Sequence, residues 1–286
     1  MEIESCGDFL KLPEDCIANV LSLTSPKDAC RLSAVSPKFR SAWQSNTVWD
    51  RFLPSDYHEI ISSVVGGPDS FLDQFRSKKD LYLHLCDRPV LIDDGRKSFS
   101  LEKLSGKKCY MLAARELSIV GGDTPQNCQW IRLPGSRFSE VAKLLDVCWL
   151  EIGGKINTNM LSSSTNYAAY LVFTWSPMTY RFDWYPAEGS VSISGHETEK
   201  HSFYLVSEED QRQMYHIEAE QLQDNAGPDT QYPKPRDGGW MEIELAEYFV
   251  KGGKEGVLEV SLKMLRGNWK RDIIIQGIEI RPKECK

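Results

Sequence analysis

The first part of the chain consists of short amphipathic segments that open with a proline or a helix-capping residue. After Pro13, the apolar residues Ile17 and Leu21 lie one helical turn apart, which predicts a short helix. The segment SPKD at residues 25–28 then supplies an N-cap, a proline at the first helical position and an acidic residue in the first turn. We therefore expect a small domain of short helices over residues 1–54.

The next segment, residues 55–105, mixes helical and strand patterns. A longer helix is predicted from Phe71 to Cys86. The apolar run at residues 90–92 leads into Asp-Asp-Gly at residues 93–95, which is typical of a hairpin turn. We interpret this segment as a connector that packs on the second domain.

From Lys107 onward the pattern is that of strands. Residues 170–173 are apolar and rich in β-formers, while residues 240–245 and 258–264 alternate between apolar and polar side chains. Short strands with turn-forming residues between them favour an antiparallel sandwich or jelly roll. The chain is therefore expected to be an α+β multidomain protein, with a mostly antiparallel β-sandwich over residues 106–286.

The length and composition of the chain limit its expected cellular location and its expected binding partners. At 286 residues the chain is long enough for two domains, and its net charge of −7 disfavours a general attraction to nucleic acid or anionic lipid. Its eight cysteines are spread singly, without the paired spacing of zinc sites. The first residues do not resemble a signal peptide, and no stretch has the ~18 apolar residues of a membrane span. We expect free thiols, no nucleic-acid or membrane partner, and a location in the cytoplasm and nucleus.

The spacing of the histidine and glutamate residues does not predict a catalytic or metal-binding site. His196, His201 and His216 lie in a polar stretch without a second ligand four residues on. Glu242 and Glu244 have the right chemistry for acid–base work, but strand alternation places both on a solvent face. We therefore expect no catalytic residue, no metal and no cofactor.

Several separated features fall in register over residues 12–54: Leu12-Pro13 at the start, Ile17 with Leu21, the turn Ser25-Pro26-x-Asp28, Val35-Ser36 before Phe39, and Trp49 near the end. With these features the stretch closely resembles an F-box. The resemblance implies docking on the Skp-type adaptor of a cullin–RING ubiquitin ligase, the SCF assembly. A bundle this small also cannot cover all its own apolar side chains, which favours a partner on physical grounds. The alternative is a bundle that packs on its own second domain. The residues expected to bind the adaptor are Leu12, Pro13, Ile17, Val20, Leu21, Pro26, Leu32, Val35, Phe39 and Trp49.

The rest of the chain resembles the phloem protein 2-like lectin domain of plants. The resemblance implies a β-sandwich, in a family of which some members bind chitin-type or N-glycan sugars. It also implies a site that holds a target protein or glycoprotein. The matching stretches are residues 106–120, 122–126, 136–173, 237–249 and 273–283.

One loop carries the residues on which sugar binding in the family depends. The family loop resembles Trp-Gly-Asp-x-Pro-x-Tyr-Trp-x-Trp, and this chain has GGDTPQNCQW at residues 121–130. Gly121 and Cys128 stand at the positions of two sugar-holding tryptophans, Asn127 replaces the tyrosine, and Trp130 is retained. An aromatic ring that anchors a ligand contributes ~2 kcal/mol to the binding free energy. The loss of two such rings therefore removes ~4 kcal/mol, which is about the whole binding free energy of a lectin with a millimolar dissociation constant. We therefore expect a weak or absent sugar site.

Other aromatic residues bear on the same question. Trp130, Trp184 or Trp240 could compensate for the missing rings. The expected core residues are Trp149, Trp175 and Trp269. Replacing both Gly121 and Cys128 by tryptophan is expected to raise sugar affinity if the remaining site is intact. The residues expected to bind carbohydrate or target are Gly121, Asp123, Asn127, Cys128, Trp130, Trp240 and Glu242.

Three functions remain open at this point. The first is a non-catalytic substrate receptor of an SCF ligase, which binds the adaptor and, through it, cullin and RING subunits. The second is a free-standing intracellular lectin whose F-box serves only packing. The third is a sandwich used purely for protein interaction.

Overall fold

The structure is a computed structural model that places the chain in two compact units. The helical unit contains residues 1–94 and 99–108, and the sandwich unit contains residues 95–98 and 109–286. The ranges that the structure describes are 12–145, 147–176, 186–193, 196–197, 200–206, 231–252, 256–265 and 271–283.

Short capped helices build the helical unit. The hydroxyls of Ser25, Ser36 and Ser77 each accept a hydrogen bond from a backbone N–H three residues on, and proline follows the first two at the first helical position. Within the described ranges, none of the helices is long and apolar enough to cross a membrane. The helices are α1 (Glu14–Ser22), α2 (Pro26–Ser33), α3 (Pro37–Trp43), α4 (Asn46–Phe52), α5 (Tyr57–Ser62), α6 (Pro68–Leu72) and α7 (Lys78–Asp87).

The core of this unit lies where α1 packs on α3 and α4. Ile17 and Leu21 of α1 are 0% exposed there. The Trp49 ring meets the Trp43 ring edge-on at 5.4 Å, and its Nε1 donates to the Trp43 carbonyl oxygen at 2.6 Å. The rings and the aliphatic face of α1 therefore form one small core.

The segment at residues 55–105 differs from its prediction. All of it except residues 95–98 belongs to the helical unit, where the Tyr82 ring lies 5.1 Å from the Trp49 ring and its hydroxyl donates to the Lys103 carbonyl oxygen at 3.2 Å. The single helix predicted over this stretch is two helices, α6 and α7, because Ser77 caps a new start. The helical domain therefore extends well beyond residue 54.

Most of the strands follow the predicted change of pattern after residue 107, and two short strands precede it. The turn predicted at residues 93–95 is confirmed, since Asp93, Asp94 and Gly95 have φ values of 52°, 56° and 77°. The strands are β1 (Val90–Ile92), β2 (Lys97–Leu101), β3 (Lys108–Ala113), β4 (Ser118–Ile119), β5 (Cys128–Ile131), β6 (Val141–Leu144), β7 (Leu150–Asn157), β8 (Thr165–Trp175), β9 (Ala187–Ile193), β10 (His196–Glu197), β11 (His201–Phe203), β12 (Lys234–Pro235), β13 (Met241–Val250), β14 (Val257–Met264) and β15 (Ile273–Pro282).

Two antiparallel sheets form the sandwich unit. From β3 onward the order in one sheet is β3-β15-β8-β13-β12, with β6 beside β15 and β5 beside β6; in the other sheet it is β10-β9-β14-β7-β4, with β11 also beside β9. The backbones approach closely at Gly189, where an added Cβ would lie 2.3 Å from the Leu245 carbonyl oxygen. The α+β architecture with an antiparallel sandwich is therefore confirmed.

Candidate functional site

The residues expected to face an adaptor fall into two groups. Ile17 and Leu21 are fully buried in the helical core, so the expectation that they face a partner is not met in this structure. Val35, in contrast, is 69% exposed just after α2. The buried group is Ile17, Leu21, Pro26, Phe39 and Trp49, and the group at the surface or half-buried is Leu12, Pro13, Val20, Leu32 and Val35.

Leu23 is an exposed apolar residue that the sequence analysis missed. It is 76% exposed at the end of α1, three residues after Val20 and hence on the same side of the helix. It also lines a cleft of about 730 Å³ together with Leu53, Tyr57 and His58. We call Leu12, Pro13, Val20, Leu23, Leu32 and Val35 the open helical face.

The open helical face is made of side chains that gain from leaving water. Burying one leucine or valine completely is worth ~1.5–3 kcal/mol. Val20, Leu23 and Val35 lie within one short stretch of the chain and are all exposed. A partner that covered these side chains would therefore gain free energy from their burial.

In the sandwich unit, the loop between β4 and β5 is closed by its own backbone. The N–H of Thr124 donates to the Gly121 carbonyl oxygen at 3.0 Å, and the N–H of Cys128 donates to the Thr124 carbonyl oxygen at 2.9 Å. The N–H of Leu145 donates to the Asn127 carbonyl oxygen at 2.8 Å, which ties the loop to the end of β6. Beside it lies the Trp130 cleft, about 590 Å³, lined by Arg115, Gly122, Asp123, Pro125, Cys128, Gln129, Trp130 and Leu145.

The two positions that lack tryptophan are adapted to smaller residues. Gly121 has φ +76°, and a Cβ added there would lie 2.9 Å from the Asn127 side-chain nitrogen. Cys128 is buried, and burial raises the pKa of its thiol, so it packs rather than presents a group. The effect of placing tryptophan at both positions stays a prediction, and the geometry indicates that a ring at position 121 would strain the backbone and displace the Asn127 side chain.

Trp130 is engaged by its own chain. The Arg115 guanidinium lies over the ring, with its Cζ 3.7 Å from the ring centroid. The Nε and Nη2 of Arg115 donate to one oxygen of Glu140 at 2.9 and 2.8 Å. The Nε1 of Trp130 donates to the Gly122 carbonyl oxygen at 3.3 Å. Sequence reasoning missed Arg115 and Glu140, because neither belongs to the loop and their meeting depends on the folded register.

Two predicted site residues lie outside the Trp130 cleft. Trp240 is buried, and its Nε1 donates to the Gly135 carbonyl oxygen at 3.4 Å. The Glu242 carboxylate pairs with Arg236 at 3.1 Å and with Arg281 at 2.6 Å. The prediction that Glu242 points to solvent is wrong, because arginine side chains cover that face of β13.

The neighbour of Glu242 on the strand face is also covered. Glu244 pairs with Lys283 at 2.7 Å and accepts a hydrogen bond from the Tyr170 hydroxyl at 3.2 Å. Burial, followed by the charge of Glu244, raises the pKa of Tyr170 to about 12. The prediction of a solvent face is therefore wrong for Glu244 as well.

The covered face centres on Glu279 of β15. Arg236, Arg137 and Arg281 approach its carboxylate at 2.7, 3.0 and 2.6 Å. Burial alone would raise the pKa of Glu279, but the hydrogen bond and charge of Arg236, with the charges of Arg137 and Arg281, hold this pKa at about 2. The carboxylate therefore stays ionised at neutral pH and fixes the surrounding loops.

The remaining tryptophans are those expected in the core or as substitutes for the missing rings. Trp149 is 50% exposed, so the prediction that it packs in the core is wrong. Trp175 is half-buried, and its ring meets the Phe173 ring edge-on at 5.7 Å. Outside the described residues lie Trp184, Trp269 and His216.

Comparison with known proteins identifies two domains in the chain. The model of the family described as Phloem protein 2 matches residues 107–282, and the F-box domain model matches residues 9–51. One Arabidopsis thaliana relative, whose name contains the words F-box protein PP2-B12, is 48% identical over 278 residues, which is 97% of this chain and 99% of the relative. Another, F-box protein PP2-B10 of the same plant, is 44% identical over 277 residues, 96% of this chain and 94% of the relative.

A solved structure shares a weaker likeness. The family 35 carbohydrate-binding module from Clostridium thermocellum is 10% identical, with a TM-score of 0.32, over 60% of this chain and 96% of the module. A likeness of this size carries no conclusion about ligand.

Proposed function

This chain belongs to the phloem protein 2 family and carries an F-box domain, and from this premise we propose that it is the substrate-recognition subunit of an SCF ubiquitin ligase. The F-box domain binds the Skp-type adaptor and, through it, the cullin and RING subunits. The phloem protein 2 domain holds the target, a protein or glycoprotein. The chain performs no chemistry; it raises the effective concentration of the target near the ubiquitin-conjugating enzyme.

The observation that carries this proposal is the open helical face. Leu23 and Val35 are 76% and 69% exposed although each would gain free energy on burial. Ile17 and Leu21 support that face from within the helical core. An adaptor that covers the exposed side chains supplies the burial that the small bundle does not provide for itself.

The proposed setting is the cytoplasm and nucleus. The cysteines for which the structure describes a side chain carry free thiols: Cys16, Cys30, Cys86, Cys109, Cys128 and Cys148. Free thiols suit a reducing compartment, where ubiquitin ligases of this kind act on their targets.

A second candidate function is that of a carbohydrate-binding lectin acting independently of ubiquitination. It is favoured by the retained Trp130, which lines a cleft with the polar groups of Asp123 and Gln129. A glycan array separates the two candidates. Micromolar binding of a defined sugar, lost in Trp130→Ala and accompanied by no adaptor binding, would favour the lectin.

The proposal is tested by co-expression with a Skp-type adaptor. Val35→Asp places a charge on the open helical face and is expected to abolish copurification of the adaptor. Val65→Asp is the matched control, because Val65 is 53% exposed in the same unit and lies beyond the F-box match. Equal adaptor recovery with both variants would exclude the proposal. Ile17→Asp is unsuitable here, since a charge in the core unfolds the bundle.

A further inference from the structure

The contact between Arg115 and Trp130 decides what the Trp130 cleft can hold. The guanidinium lies within van der Waals distance of the indole face, and Glu140 holds it through Nε and Nη2. An aromatic ring binds a sugar by covering the apolar C–H face of the sugar ring at the same distance. The guanidinium therefore fills the layer in which a sugar ring would stack.

We propose that Arg115, positioned by Glu140, is the specificity-determining residue of the Trp130 cleft and excludes sugar rings from the indole face. This inference rests on the proposed role of the phloem protein 2 domain in target recognition. It does not depend on adaptor binding. The Arg115 contact closes the indole face of Trp130, in a loop that has Gly121 and Cys128 in place of two further rings.

Glu140 is essential to this closure. Arginine has a long side chain that rotates freely unless it is held, and the Glu140 carboxylate accepts both of its hydrogen bonds on one oxygen. Glu140 directly precedes β6, which pairs with the strand of Trp130. The strand register therefore brings the carboxylate, the guanidinium and the ring together. Lysine at position 115 would not reproduce the arrangement, because an ammonium group has no planar face to lie on the indole.

The experiment titrates the full chain with chitotriose and follows binding by calorimetry. Arg115→Ala is expected to bind at least about tenfold more tightly than the natural chain, since only an exposed cation–π contact and an exposed ion pair oppose entry of the sugar. The double variant Arg115→Ala with Trp130→Ala is expected to lose this gain. Arg132→Ala is the matched control; Arg132 is exposed, follows Trp130 by two residues and, in the part of the chain that the structure describes, makes no ion pair.

Three outcomes would overturn the inference. They are equal affinity of Arg115→Ala and the natural chain, including no measurable binding by either; a gain that persists without Trp130; and an equal gain in Arg132→Ala. Adaptor copurification by Arg115→Ala, measured on the same preparations, keeps the two proposals apart. Normal adaptor recovery without a gain in sugar affinity refutes the role of Arg115 alone, whereas lost recovery by the natural chain refutes the ligase proposal.

Discussion

The open helical face and the Trp130 cleft differ in how far their apolar side chains are covered by the chain itself. On the helical unit, Leu23 and Val35 remain in water although burial would stabilise them. In the sandwich unit, Trp130 has its face covered by Arg115 and its Nε1 bonded to Gly122. Membership of a family therefore does not by itself identify a working binding site. The exposed apolar side chains of the helical unit are left for a partner to cover in our proposal, whereas the Trp130 ring is already covered by Arg115.

The largest expected effect is on the stability of the helical unit, and it should differ between a buried and an exposed apolar residue. Ile17→Asp should destabilise this unit by at least about 4 kcal/mol, because it buries an unpaired charge among α1, α3 and α4. Val35→Asp should change stability by less than about 0.5 kcal/mol, because Val35 is exposed. Urea unfolding followed by circular dichroism measures both. Equal destabilisation would mean that the open helical face is part of the core.

The next effect concerns the covered face of the sandwich. The pKa of Glu279 is depressed to about 2 from an ordinary 4.5, so its contribution to stability is full above pH 4.5 and is lost as the pH falls toward 2. At neutral pH this contribution is roughly 3 kcal/mol. Glu279→Gln should therefore lose about that much at pH 7 and flatten the decline between pH 4.5 and 2.

The matched control for this prediction is Glu259→Gln. Glu259 pairs with Lys155 at 2.6 Å, but both side chains are exposed, so the loss should stay below about 1 kcal/mol. Urea titrations across the acid range measure both variants. The account of the Glu279 site fails if the two glutamates contribute alike.

A smaller effect is expected at the adaptor interface. Leu23→Asp should weaken adaptor binding by about 2 kcal/mol, or ~30-fold, while stability stays within about 0.5 kcal/mol of the natural chain. Val65→Asp carries the same charge on the same unit and should leave the affinity unchanged. Calorimetric titration with the purified adaptor gives both constants. Weakening by Val65→Asp to the same extent would show that any charge on this unit suffices.

The smallest effect is on the stability of the sandwich unit. Arg115→Ala removes an exposed ion pair and an exposed cation–π contact, so it should cost no more than about 1 kcal/mol. Thermal unfolding by calorimetry detects a change of this size. A loss of several kcal/mol would mean that Arg115 holds the fold together and that its place over Trp130 follows from a structural role.

The features that could be read from the sequence are the local ones. Ser25 and Ser36 with their following prolines predicted the starts of α2 and α3, because capping depends on residues within one turn. The turn at residues 93–95 was readable for the same reason. The change to strand pattern after residue 107 predicted the sandwich, because alternation records which side of a strand is dry.

The features that could not be read depend on distant partners. Alternation placed Glu242 on the side of β13 opposite the buried Ile243, but it gave no sign of Arg236 and Arg281, which cover Glu242. The contact between Arg115 and Trp130 could not be predicted from the sequence, because the two residues lie in different elements and come together only in the folded chain. The burial of Ile17 was misread because an amphipathic helix shows which face is apolar and not whether its own unit or a partner covers that face.

Hydrogen exchange of the full chain, with and without saturating adaptor, tests the central claim most directly. The account predicts slower amide exchange across residues 12–35, where the open helical face lies, and unchanged exchange at β5 and β6 beside the Trp130 cleft. Unchanged exchange in the helical unit, or slowing confined to the sandwich unit, would contradict it.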